Sequence, residues 1–286
     1  RRGRKLTEAT ATSSMASDLK RRVPSAIAMI VAVLAATWFG GFPFLLFWTC
    51  AALIVWYEWA SIVRVAHKTT VLALGFFTIA LAAVLVSIHA PLAALGAIAA
   101  GTILAAALTS GGGIARLWSG SGLLYAGLVF LPVVLLRNDA ELGLHAAIWL
   151  YAVVWLTDIA AYFSGRFIGG PKLAPAISPK KTWSGALGGT LFGVIGGVGV
   201  AAYATGRVAL MHAVIAIAVS AFSQAGDIFE SFVKRKFGKK DSSGILPGHG
   251  GVMDRIDAFI AAAALALLIG MSRGGADAPA TGLLQW

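Results

Sequence analysis

The chain has 286 residues, of which 58% are hydrophobic and 12% charged, and its mean hydropathy is +0.83. Soluble domains carry about 25% charged residues, so this chain lacks the polar surface to cover a water-soluble globule and reads as an integral membrane protein. The net charge of +11 does not point to nucleic acid, because the basic residues flank apolar runs, and the single cysteine, Cys50, excludes a disulfide framework.

Residues 1–22 are basic and Thr/Ser-rich and are expected to be disordered, with Met15 a candidate true start. No small-residue cleavage site follows the first apolar run, so that run is expected to be a retained span. Residues 23–286 are expected to form a single transmembrane helical domain. Nine apolar runs approach the 17–25 residues that a bilayer-crossing helix needs: about 24–40, 42–64, 71–88, 90–108, 120–136, 144–165, 184–204, 207–229 and 256–272. The expected fold is therefore all-α and polytopic, because hydrocarbon demands that each segment satisfy its own backbone. Glycines 188, 189, 193, 196 and 197 in the seventh run would let a neighbouring helix approach closely.

Charge sets the orientation. With nine alternating spans, only Arg137, Arg207 and Arg273 of the 23 Lys and Arg residues fall on one side. The basic side is expected to be cytoplasmic, with the N-terminus, in the cell inner membrane.

Acidic residues inside spans are costly, about 2.5–3.5 kcal/mol each on insertion scales, so each needs a reason. Glu58, between Tyr57 and Trp59, reads first as an interfacial residue in an aromatic belt. Asp158 shares a helix face with Tyr162 and is either a structural partner or a wall of a site. Asp227, Ser231 and Lys234 or Arg235 recur at helical spacing. Asp254 and Asp257, three residues apart, could approach one metal or line one pocket. All these carboxylates fall at one depth, together with the two most basic loops.

The 165–183 loop ends in Ser178-Pro-Lys180-Lys181-Thr182-Trp183, which either anchors the membrane boundary or offers cations and a helix N-terminus to phosphate. Pro247-Gly248-His249-Gly250-Gly251 is either a tight turn or a backbone cradle for an anion. Hard Mg2+ takes oxygen ligands, usually one or two carboxylates plus phosphates and water, and no Cys/His cluster suggests zinc.

The run from Ser231 to Asp257 resembles the signature of phosphatidate cytidylyltransferases. It has Ser231, Lys234-Arg235, Lys240-Asp241, His249-Gly250-Gly251, then Asp254-Arg255 and Asp257, each at the family's spacing. Asp158 and the Ser178–Trp183 loop are also similar, with one departure: Ser184 stands where the family usually has Glu. The resemblance implies that CTP and phosphatidate react to CDP-diacylglycerol and pyrophosphate with Mg2+, on a bilayer, in phospholipid biosynthesis. It implies metal ligation by Asp227 and Asp254. It implies catalytic roles for Lys234, Arg235, Lys240, Asp241, His249, Arg255 and Asp257, and substrate contacts from Ser178, Lys180, Lys181, Thr182, Ser231, Gly250 and Gly251. A homodimer is compatible with it. The competing readings are a CTP-dependent lipid kinase, a cation-coupled transporter and a non-catalytic lipid-binding protein.

Overall fold

The computed structural model describes residues 24–65, 68–246 and 250–286. Among them the protein is almost entirely helical: α1 (Pro24–Phe39), α2 (Gly41–Ile62), α3 (Lys68–Ser87), α4 (Pro91–Leu108), α5 (Gly113–Arg137), α6 (Gly143–Phe167), α7 (Trp183–Thr205), α8 (Leu210–Lys236), α9 (Met253–Gly274) and α10 (Pro279–Leu284). Eight of these, α2 to α9, are long and apolar enough to cross a membrane. The all-α, multi-span expectation holds. The first of the nine expected spans corresponds to α1, an apolar helix too short to count among the eight. The expected boundaries change at two places that matter. Helix α5 begins at Gly113 rather than at 120. Helix α8 runs on to Lys236 rather than stopping at 229, so the start of the signature is helical.

Helix α5 is buried along most of its length and packs against α2, α4 and α9. A helix apolar on every side is stable only where neighbours or lipid surround it, and Leu123, Phe130, Leu131 and Leu136 meet protein on all sides. Around the bundle, side chains such as Phe77, Ile103, Leu187 and Leu268 are exposed, as suits acyl-chain contact.

The closest helix pair is α6 with α7. A Cβ at Gly189 would lie 2.6 Å from the Thr157 carbonyl oxygen, and one at Gly193 would lie 3.0 Å from that of Val153. Larger residues would push the two helices apart, so the glycine-rich run does what close helix approach in lipid requires. Between them the chain forms a two-stranded antiparallel hairpin where the sequence predicts a loop. Strands β1 (Lys172–Ala174) and β2 (Ser178–Thr182) pair Lys172 with Thr182 and Ala174 with Ser178. Gly169 and Gly170 adopt φ values of 68° and 103°, which side-chain-bearing residues rarely take, and so turn the chain from α6 into the hairpin.

The helices alternate in direction, so two ends can be distinguished. At one end, Arg137 Nε donates to the Thr37 carbonyl at 2.8 Å and tethers the C-terminus of α1. At that same end His212 accepts from the Ala209 N–H at Nδ1, which leaves Nε2–H to donate to the Leu284 carbonyl at 2.8 Å and hold α10 in place. The other end gathers the C-termini of α2, α6 and α8, the N-termini of α5, α7 and α9, and the hairpin.

Candidate active site

A cavity of about 480 Å³ opens at the second end, between α6, the hairpin, α7 and α8. Its charged lining is Asp158 and Arg166 from α6, Lys180 and Lys181 from β2, and Asp227 from α8. Ala161, Leu173 and Ala186 make its apolar part. The floor is shaped by absent side chains: a Cβ on Gly185 would lie 2.8 Å from the Ala161 carbonyl oxygen, and one on Gly165 would lie 2.9 Å from Thr182 Oγ1.

Each wall residue has a local reason for its place. Thr182 is the N-cap of α7: it is extended, and its hydroxyl accepts the Gly185 N–H at 3.1 Å. That cap joins β2 directly to the start of α7 and points the hairpin's lysines at α8. Lys181 Nζ reaches Asp227 Oδ2 at 2.6 Å. Arg166 donates to the Tyr162 hydroxyl one turn earlier at 2.7 Å, and both side chains line the cavity. Gln224, one turn before Asp227, also lines it, and donates to Thr190 Oγ1 at 3.1 Å.

A second cluster lies between α8 and α9. Lys234 is half-buried between Asp254 Oδ1 at 2.6 Å and Glu230 Oε2 at 2.7 Å. Asp254 also accepts the Ser242 N–H at 2.9 Å, the Ser242 hydroxyl at 3.0 Å and the Gly251 N–H at 2.8 Å. Asp257 accepts the adjacent Ala258 N–H at 2.9 Å, and lies within electrostatic range of Asp227, Asp158 and Lys234. The buried Tyr125 hydroxyl has no hydrogen-bond partner among the described residues and faces the fields of Asp257 and Glu230.

The expected residues take different places. Lys180, Lys181, Thr182 and Asp227 line the cavity. Lys234, Asp254 and Asp257 form the cluster beside it. Arg235, Lys240, Asp241 and Arg255 are exposed, and Arg235 donates to the Lys239 carbonyl at 3.1 Å. Ser178 and Ser231 lie outside the cavity lining. His249 lies outside the described residues, as do residues 1–22.

Several readings change. Asp254 and Asp257, three apart on α9, differ by about 60° in direction and have different hydrogen-bond partners. Asp254 turns to Lys234 and the preceding loop, and Asp257 turns toward the α8 and α6 acids. Lys234 serves Glu230 and Asp254, while the cation on Asp227 comes from the hairpin. Gly250 and Gly251 face carboxylates: a Cβ on Gly250 (φ 83°) would sit 2.6 Å from Asp254 Oδ2, and one on Gly251 would sit 2.3 Å from Glu58 Oε1. Their hydrogen-lined backs are filled by the protein's own acids. Ser184 donates to the Gly169 carbonyl and meets Thr182, so it ties the hairpin and is not among the cavity-lining residues. Sequence reasoning missed Glu230, Ser242, Ser243 and Gln224. Gln224, three before Asp227, and Glu230, three after it and four before Lys234, were legible from helical spacing; Ser242 and Ser243 carry no such signal.

Among the described residues no three Asp, Glu, His or Cys side chains form a closed metal cage. What is present is a set of hard oxygen donors with spare capacity. Asp227 meets only Lys181, and Asp257 only the Ala258 N–H, whereas Asp254 is already occupied by Lys234 and three other donors. One or two carboxylates left open toward substrate phosphates suit Mg2+ better than an all-protein site would.

An all-helical membrane bundle with cations and carboxylates facing one boundary cavity defines a class of membrane enzymes acting on phosphates. Residues 20–272 match the cytidylyltransferase family. The chain is 42% identical over 266 residues to "Phosphatidate cytidylyltransferase" of Brucella suis biovar 1 (strain 1330), covering 92% of this chain and 97% of that one. It is 32% identical over 279 residues to the protein of that name from Haemophilus influenzae, covering 85% and 96%. A third relative of that name, from Staphylococcus saprophyticus, is 43% identical over 137 residues, or 48% of this chain and 52% of the relative. The chain belongs to the cytidylyltransferase family.

Proposed function

We propose that this protein transfers the cytidylyl group of CTP to phosphatidate, giving CDP-diacylglycerol and pyrophosphate, from the cytoplasmic face of the inner membrane. The observation that carries this reading is a cavity in which Arg166, Lys180 and Lys181 face Asp158 and Asp227 at one end of the bundle. Both substrates are anions, and transfer between them is mostly positioning and charge neutralisation. The basic end is taken as cytoplasmic because the opposite end holds only three arginines.

In the reaction an oxygen of the phosphatidate phosphate forms a bond to the α-phosphorus of CTP. The bond from that phosphorus to the bridging oxygen breaks, and its electron pair leaves with pyrophosphate. The attacking oxygen is already deprotonated at neutral pH, so no side chain is required as a general base. Lys180, Lys181 and Arg166 bind and orient phosphates across the cavity. The Lys181–Asp227 pair, 2.6 Å long here, supplies a cation that substrate phosphate can recruit. Lys234 screens charge from the α8 side, and the exposed Arg235, Lys240 and Arg255 attract the triphosphate to the rim. Ala161, Leu173 and Ala186 exclude water from one side and suit a lipid's glycerol and acyl portions.

Asp227 and Asp254, with Asp257, are the carboxylates proposed to hold Mg2+, and Asp254 joins only where Lys234 releases it. Bound there, Mg2+ would neutralise charge on the CTP phosphates and the leaving pyrophosphate.

The test is incubation of the purified protein with radiolabelled CTP, phosphatidate and Mg2+. A labelled liponucleotide with release of pyrophosphate is expected. CDP together with a newly phosphorylated lipid would replace this reading with a lipid kinase.

A further inference from the structure

Glu58 has none of the spare capacity of the cavity acids. It is fully buried and meets no Lys or Arg among the described residues. Instead it meets two N–H groups and two serine hydroxyls of a segment nearly 200 positions away. Val252 N–H donates to Oε1 at 2.9 Å and Met253 N–H to Oε2 at 2.7 Å. The Ser243 hydroxyl donates to Oε1 at 2.5 Å and the Ser242 hydroxyl reaches Oε2 at 3.2 Å. Val252 and Met253 open α9, so the carboxylate stands where the helix dipole and unpaired N–H groups favour an anion.

The position of Glu58 is set by its neighbours on α2. Trp56 Nε1 donates to the Leu72 carbonyl of α3 at 3.1 Å, and Trp59 Nε1 to the Trp118 carbonyl of α5 at 2.9 Å. Both indoles are fully buried and lie where Cβ atoms at Gly75 and Gly122 would be, 2.2 and 2.1 Å from the indole atoms. Helix α2 is therefore keyed to α3 on one side and α5 on the other. Glu58, between the two tryptophans, projects a fixed carboxylate at α9. Gly251 has no room for a Cβ for the same reason: its backbone packs on Glu58 and Ser242.

We propose that Glu58 is a positioning residue of the transfer reaction. It fixes the start of α9 and the 241–246 segment, and so sets where Asp254 and Asp257 stand relative to Asp227. Ser242 links the two carboxylates, since its hydroxyl lies 3.2 Å from Glu58 and 3.0 Å from Asp254 but carries one proton. Displacing Glu58 therefore disturbs the Lys234–Asp254 pair without touching the cavity wall. This inference rests on the proposed cytidylyl transfer only for its kinetic arm.

The experiment compares wild type with Glu58→Gln and Ser243→Ala by amide hydrogen exchange without substrate and by steady-state kinetics. Glutamine presents an NH2 group to N–H donors that have no other partner. Glu58→Gln should speed exchange at residues 242–246 and 250–253 about tenfold, with α6 and α7 unchanged. It should lower kcat about tenfold while KM for CTP stays within about threefold. Ser243→Ala, which keeps the carboxylate, should show the same pattern at about threefold. Exchange at wild-type rates in both variants overturns the proposal, as does loosened exchange with wild-type kcat. A wild-type protein without liponucleotide product would refute the activity and leave the exchange arm to judge the clamp.

Discussion

The two ends of the bundle use one device to different ends. At the end proposed as the outer one, Asp139 accepts the N–H groups of Glu141, Leu142 and Thr281 and the Thr281 hydroxyl, which ties the α5–α6 turn to α10. At the end proposed as the inner one, Glu58 accepts two N–H groups and the Ser243 hydroxyl and shares the Ser242 hydroxyl with Asp254, which ties α2 to α9. In both, a carboxylate is satisfied by loop and helix N–H groups with no cation. The difference is what stands beside the cap. The outer end has no further carboxylate cluster among the described residues. The other end places Asp158, Asp227 and Asp257 within one another's fields. Stability needs satisfied carboxylates; a site for phosphates and a cation needs some that are not.

The sharpest way to break that comparison is at Asp227. Asp227→Asn keeps the shape and removes the charge, and should lower turnover at least about a hundredfold with an unchanged elution profile in detergent. Product formation near wild type would remove Asp227 from the chemistry. Lys181→Ala, which removes its partner on the hairpin, should raise KM for CTP about tenfold.

A smaller effect is expected at the outer end. Burial opposes charge on Asp139, but the backbone N–H groups of Thr281, Leu142 and Glu141 and the Thr281 hydroxyl outweigh it and hold its carboxyl below the usual range. A depressed pKa contributes stability that is complete above the ordinary carboxylate value and is lost as pH falls through the lowered one. Asp139→Asn should therefore cost about 1–3 kcal/mol at neutral pH and less in acid, read as the melting temperature against pH, with KM for CTP unchanged. An equal cost at every pH would show that its charge is irrelevant. The smallest effect belongs to Arg207→Ala on the outer surface, which should leave kcat/KM within about twofold; a large loss would place chemistry at the wrong end.

Much of the fold was readable from periodicity and length because the bilayer allows few solutions: a long apolar run must close its own hydrogen bonds as a helix. The α6–α7 contact was readable from the glycines. The carboxylates at one depth were readable from alternation of spans. Glu58 was misread because its tryptophan neighbours suit an interfacial belt equally well; no local pattern distinguishes an acid facing headgroups from one facing a helix start 194 positions later. The sequence left the glycine pair after His249 open between a tight turn and an anion cradle, and what the structure adds is that Asp254 and Glu58 pack against that backbone.

Composition and spacing alone determined that this chain crosses a membrane many times and that its acids and bases meet at one boundary, and the resemblance of residues 231–257 to a family added the phosphate chemistry. The partners were decided only in three dimensions. Lys181 on Asp227, Lys234 on Asp254 and Glu58 on Met253 join segments from 20 to 195 positions apart. Charge and donor count say what a side chain needs, but the packing angle of the helix that carries it decides which neighbour meets that need.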